Sequence, residues 1–136
     1  MTFMRLIRRL IKNGRGQALV ELALVLPISI LLLFGTMEFG RIFHSYLTLA
    51  NASREGARAG IVGADDAGIR TKVKDVAASL ELEDSQIDIT PGQDSRSRGV
   101  PLTIQVDYQV NLLTPVLNII IPDPFPLTAS TTMRVE

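Results

Sequence analysis

The chain reads QALVELALVLPISILLLFGTM from Gln17 to Met37, and Glu21 is the only charged residue in this stretch of 21. The 16 residues from Leu22 to Met37 contain no charged residue. A helix of about 20 apolar residues is long enough to cross the hydrocarbon core of a bilayer, which is about 30 Å thick. The stretch therefore predicts one transmembrane helix, with its membrane-spanning part at about residues 18–38.

A basic segment precedes this stretch. Residues 1–16 contain five basic residues and no acidic one, whereas the remaining 120 residues contain nine basic and fourteen acidic residues. Because basic flanks stay on the cytoplasmic side, the N-terminus is predicted to be cytoplasmic and the C-terminal part to lie outside. Apolar residues at helical spacing from Phe3 to Ile11 predict a short amphipathic helix on an anionic membrane surface. The two glycines of Asn13–Gly16 predict a helix break after it.

The basic segment has two interpretations, which are a permanent flank of a membrane anchor and a leader that is removed. A conventional secretory signal peptide is disfavoured, because no A-x-A-like arrangement of small residues follows the apolar run around Phe34–Thr36. Ala50–Ala52 fits that arrangement, but it lies too far along the chain and inside a helical pattern.

The composition argues against several classes of function. The chain has no cysteine, which excludes disulfides, thiol nucleophiles and cysteine metal sites. The part that follows residue 16 has no excess of basic residues, so a nucleic-acid role has no support. The single histidine, His44, has no identifiable partner and is expected at the surface or the membrane boundary. No catalytic, metal or cofactor site is predicted, and the chain is not expected to be an enzyme.

Two residues are costly inside the predicted span. A carboxylate such as Glu21 costs about 3 kcal/mol on insertion scales, so it needs a counter-charge or must snorkel to the cytoplasmic interface. Pro27 lacks a backbone donor and frees the carbonyl of Ala23, which predicts a kink or local unwinding. The alternative for Pro27 is simple tolerance, since proline is not rare in membrane helices.

The helical pattern continues past the span to about Gly60. A helix of residues 17–60 would be about 66 Å long, which exceeds the bilayer. Glu38 and Arg41, at its outer boundary, are expected in the headgroup region. Further along are two stripes of small residues that allow close packing, either on the chain's own outer domain or on partner subunits. The stripes consist of Ala50, Ser53, Ala57 and Gly60, and of Ala52, Gly56 and Ala59.

Residues 61–136 predict a small outer domain. A helix of about residues 66–80 is expected, capped by Asp65 or Asp66. Ile87 and Ile89 indicate a short strand, and the alternation at Leu102–Val110 and Leu127–Val135 indicates two more. The predicted fold class is therefore α+β, in which the long helix packs on a small, mainly antiparallel sheet with a second helix.

Residues 16–21, GQALVE, resemble a prepilin peptidase site, in which cleavage follows a glycine and a glutamate stands fifth in the mature chain. The stretches GQALVELALVLPISILLLFGTMEFGR and LANASREGARAG closely resemble the N-terminal signature of TadE-like proteins. The last residues, LTASTTMRVE, resemble that family's usual ending, whereas residues 61–126 carry no recognised motif. Leu22 stands where the major pilin of the same system has a tyrosine.

The resemblance implies a minor pseudopilin of a tight-adherence pilus in the cytoplasmic membrane. Gly16 is then the residue before the cleaved bond, and residues 1–16 are the leader. Gln17 becomes the new N-terminus and a candidate for N-methylation, and Glu21 pairs with the freed amino terminus of a neighbouring subunit. Glu21 and Pro27 are the candidate assembly residues. The implied partners are a prepilin peptidase, other pilin and pseudopilin subunits, an inner-membrane assembly platform and the lipid bilayer.

Two other functions remain open at this point. An uncut, single-pass membrane-anchored adhesion or sensory module would share the span and the outer domain. A small membrane-bound enzyme would need a polar pocket in the outer domain, for which the sequence offers no candidate.

Overall fold

The computed structural model of the protein describes residues 14–115 and 117–136. The amphipathic helix predicted before residue 13 lies outside them. The five main elements are α1 (Gly14–Ile61), α2 (Asp66–Val76), β1 (Ile87–Thr90), β2 (Pro101–Val110) and β3 (Phe125–Arg134). Single 3-10 turns occupy Ala78–Leu80, Asp84–Gln86, Gln93–Ser95 and Leu117–Ile119. A long apolar helix, a second helix and an antiparallel sheet confirm the α+β prediction.

Helix α1 is longer and more regular than the sequence predicts. It begins at Gly14, so the predicted break over Asn13–Gly16 is wrong for its last three residues. A helical glycine costs only about 1 kcal/mol relative to alanine, and a long helix that is already formed extends cooperatively. The helix also continues through Pro27, so the predicted local unwinding does not occur. The hydroxyl of Ser29 donates to the Val25 carbonyl at 3.1 Å, within the same turn.

The chain divides into two units. The first ends at Met37, and the second, here called the C-terminal unit, comprises Glu38–Glu136. The outer half of α1 therefore belongs with the sheet and α2, because it packs on both. The predicted leader and the predicted membrane boundaries at about residues 18 and 38 stay predictions.

The sheet is a three-stranded antiparallel meander in the order β1-β2-β3. Ile104 in β2 pairs with Ile89 in β1 and with Thr131 in β3. Residues alternate along β2, so that Leu102, Ile104 and Val106 are buried while the intervening side chains are more open. One face of the sheet is thus apolar and covered, as the period-two pattern predicts.

The core of the C-terminal unit lies between this apolar face and the two helices. A Cβ atom built on Gly56 would meet Val73 of α2 and Ile104 of β2, which shows that the three elements converge there. The buried apolar residues are Leu49, Ala52, Ala57, Ile69, Val73, Ala77, Leu82, Ile87, Ile89, Leu102, Ile104, Val106, Val110, Leu127 and Ala129.

Candidate processing and assembly site on the long helix

The predicted processing residues lie in the first two turns of α1. The Gly16–Gln17 peptide bond is in the first turn of α1 that the structure describes. Gln17 and Glu21 are both exposed and are four residues apart, so they share one face about 6 Å apart along the axis.

The apolar part of α1 exposes its side chains. Leu19, Leu24 and Leu33 are 68%, 68% and 69% exposed, and none of the most apolar 18-residue window is buried. Burial of one such side chain away from water is worth about 1.5–3 kcal/mol, so this surface favours an apolar environment. Within the described residues, α1 is the one helix long and apolar enough to cross a membrane.

The small-residue stripes on the outer half of α1 pack within the chain. Ser53, Gly56, Ala57 and Gly60 are buried, and the Ser53 hydroxyl lies 2.8 Å from the Thr131 hydroxyl of β3. Of the two interpretations of these stripes, packing on the chain's own domain is therefore confirmed. The face of α1 that stays exposed here carries Asn51, Arg54 and Arg58 instead.

Glu38 makes a buried contact that the sequence did not predict. Its side chain is only 3% exposed within the C-terminal unit, and its predicted place at the level of the headgroups stays a prediction. One carboxylate oxygen accepts from the Arg41 guanidinium at 2.6 Å, while the other accepts from the Leu113 backbone N–H at 3.1 Å and the Thr114 hydroxyl at 3.4 Å. Glu38 thus fixes the β2–β3 connection to α1. Nothing in the sequence near Glu38 or Leu113 indicated this contact.

Two arginines hold the loops of the C-terminal unit. The side chain of Arg96 is 7% exposed, pairs with Asp66, and donates to the carbonyls of Ala64 and Pro91 at 3.1 Å each. Arg70 donates to the carbonyls of Asp84 and Ile87. Because these carbonyls belong to connections or to the first residues of short elements, each arginine joins segments that no backbone ladder connects.

The two candidate caps of α2 have separate roles. Asp65 is the N-cap, and its carboxylate accepts the Gly68 N–H at 2.7 Å, whereas Asp66 pairs with Arg96. At the other end of α2, Lys74 donates to Asp84 at 2.6 Å and thereby lowers the pKa of that exposed carboxyl. These interactions join parts of the C-terminal unit. His44, on α1, is exposed as expected.

Residues 16–58 match the family model described as TadE-like protein, a range that includes Gly16, Gln17, Glu21 and Pro27. No curated protein and no solved structure matches the chain. The family is a structural one associated with tight-adherence pili, and its match agrees with single-pass anchoring through α1. The predicted resemblance is therefore confirmed over residues 16–58, which are similar to TadE-like proteins.

Proposed function

We propose that the protein is a minor pseudopilin of the prepilin type, which acts in the assembly or structure of a tight-adherence pilus. The observation that carries the proposal is the sequence Gly16–Glu21 at the start of a helix whose apolar side chains are exposed. A packed soluble helix would bury one face, whereas a subunit that leaves the bilayer for a helical bundle needs apolar residues all round.

The proposed topology follows from charge and length. The basic leader, residues 1–16, stays in the cytoplasm, residues of about 18–38 cross the cytoplasmic membrane, and residues 61–136 lie outside. A prepilin peptidase removes the leader. The processed subunit then meets other pilin and pseudopilin subunits at an inner-membrane platform, and it can enter the extracellular pilus.

Glu21 is proposed to set the register of assembly. Burial of its carboxylate in the span costs about 3 kcal/mol. An opposite charge at 4 Å returns about 4 kcal/mol at an effective dielectric constant of 20, so a partner of this kind offsets the cost. Cleavage creates such a partner, because it leaves an ammonium group on Gln17 of each neighbouring subunit. Only a staggered arrangement of helices brings the two charges together.

The processing step is tested by a pair of glycine substitutions. Gly16→Val is expected to leave the full-length chain uncut when it is co-expressed with a matching prepilin peptidase, because a β-branched side chain occupies the position before the cleaved bond. Gly14→Val, two residues earlier, introduces the same side chain and is expected to leave cleavage intact. Intact mass distinguishes the two products.

Two outcomes of that experiment would count against the proposal. Cleavage of the Gly16→Val variant would place the cut elsewhere. An uncut wild-type chain would favour the permanently anchored adhesion or sensory module.

The assembly step is tested at Glu21. Glu21→Gln is expected to be processed normally but to lose most of its co-purification with partner pilus subunits, because the amide cannot neutralise the ammonium. Glu21→Asp keeps the charge and is expected to retain most of it. Normal recruitment of the Gln variant would show that the proposed pairing is wrong.

A further inference from the structure

The connection between β2 and β3 exposes an apolar surface. Residues 111–122, here called the apolar loop, read NLLTPVLNIIIP and contain no charged residue. Leu113, Ile119 and Ile120 are 71%, 84% and 76% exposed, which is more than most apolar side chains of the membrane-crossing part of α1. Within the C-terminal unit, this loop concentrates large apolar side chains outside the core.

The apolar loop is held at a defined height on α1. Its Leu113 N–H and Thr114 hydroxyl both donate to the buried carboxylate of Glu38. At its base, the Leu112 N–H donates to Asp123 at 3.1 Å, which closes the loop. Glu38 is the residue that directly follows the uncharged run ending at Met37. If that run crosses the bilayer, chain connectivity alone places Glu38, and hence the loop, at the membrane surface.

The backbone of the apolar loop is suited to an environment poor in water. The Leu117 N–H donates to the Thr114 carbonyl at 3.1 Å, and the Ile120 and Ile121 N–H groups donate to the Leu117 carbonyl at 3.0 and 2.9 Å. These three bonds satisfy part of the loop's backbone donors internally, which reduces the cost of removing those donors from water.

We propose that the apolar loop is a second membrane contact, which inserts Leu113, Ile119 and Ile120 into the outer interface of the bilayer that α1 crosses. Apolar segments of this kind penetrate about 5–10 Å into the boundary between headgroups and acyl chains. Phe39 and Phe43, one residue and one further turn beyond Glu38, are also exposed and extend the apolar surface at this level. The contact rests on α1 spanning the bilayer and is independent of leader cleavage.

This contact has a mechanical consequence. One helix crossing a membrane can tilt and rotate, whereas a helix with a second insertion point is restricted in both. The apolar loop would therefore orient the C-terminal unit on the membrane before the subunit is assembled. It would have to leave the lipid when the subunit enters a filament.

The test uses a fluorophore, because the chain has no cysteine and a single introduced one is labelled uniquely. Ile120→Cys carries an environment-sensitive nitrobenzoxadiazole label in the full-length protein, with one chain per lipid nanodisc. The matched control is Ser97→Cys, an exposed position in the β1–β2 connection at the other end of β2, about 30 Å away. Lipids with a doxyl group at carbon 5 of the acyl chain act as shallow quenchers.

We expect quenching to be several-fold stronger at position 120 than at position 97, with blue-shifted emission at position 120. Leu113→Cys is expected to behave like Ile120→Cys, which guards against a local effect of one substitution. Equal, weak quenching at all positions would overturn the proposal. Protection at position 120 that appears only when several chains share a disc would also overturn it, because a second copy would then cover the loop.

Discussion

Gly60→Ala is expected to destabilise the C-terminal unit by about 1–3 kcal/mol, as overpacking of a full core does. A Cβ at this position would overlap Cδ2 of Leu102 and would lie 2.9 Å from Cδ1 of Ile69. Both neighbours are 0% exposed, so neither side chain can move without displacing another part of the core. Alanine also gains about 1 kcal/mol of helix propensity over glycine, which offsets part of the loss.

Gly40→Ala is the matched control for this prediction. Gly40 lies in the same helix, but a Cβ there would meet no atom within 4 Å. The propensity gain then stands alone, so this variant is expected to be neutral or up to about 1 kcal/mol more stable. Urea unfolding of the full chain in detergent, followed by circular dichroism, compares the two. Equal midpoints would contradict the close packing of α1 on the sheet.

Glu38→Gln is expected to destabilise the C-terminal unit by about 2 kcal/mol, since hydrogen bonds to charged groups are worth about 1.5–3 kcal/mol. The substitution changes little volume but replaces one acceptor oxygen with an NH2 donor. An amide therefore cannot accept from Arg41 on one atom and from Leu113 and Thr114 on the other. In either orientation the NH2 group faces a donor, which is the Arg41 guanidinium or the Leu113 N–H and Thr114 hydroxyl, and the hydrogen bond on that side is lost.

Glu55→Gln tests whether burial causes that loss. Glu55 and Arg58 form the same i,i+3 pair on the same helix, at 3.2 Å, but their side chains are 38% and 68% exposed. Exposed pairs are worth at most about 1 kcal/mol, so this variant is expected to change stability by less than that. Similar losses in the two variants would mean that the contact of Glu38 with the apolar loop contributes little.

Periodicity was sufficient to predict most elements of this fold. The alternation from Leu102 to Val110 corresponds to β2, Ile87 and Ile89 lie in β1, and the last alternation corresponds to β3. The uncharged run from Leu22 to Met37 predicted the apolar helix, because an apolar stretch of that length is rarely stable when it is exposed to water. The pattern of apolar and polar residues shows which face of an element is buried, and in these strands the two kinds of residue alternate regularly.

Contacts between distant residues were not accessible in this way. Glu38 and Leu113 are 75 positions apart, and only the folded connection brings them together. Arg96 lies in the polar connection between β1 and β2, yet its side chain is only 7% exposed. The start of α1 was also not predicted. The two glycines are a local signal for a helix break, and extension of the helix from the long apolar run outweighs that signal. The roles of Gly16, Gln17, Glu21 and Pro27 stay predictions, because they concern partners that a single chain does not contain.

The N-terminus of the protein, produced with and without a matching prepilin peptidase, tests most directly whether this chain is a prepilin. We expect the peptidase to remove residues 1–16 and to leave Gln17 as the first residue, with or without a methyl group. N-terminal sequencing identifies the first residue, and intact mass detects the methyl group. An N-terminus that is the same with and without the peptidase would show that the chain is not a prepilin and would leave a permanently anchored membrane domain.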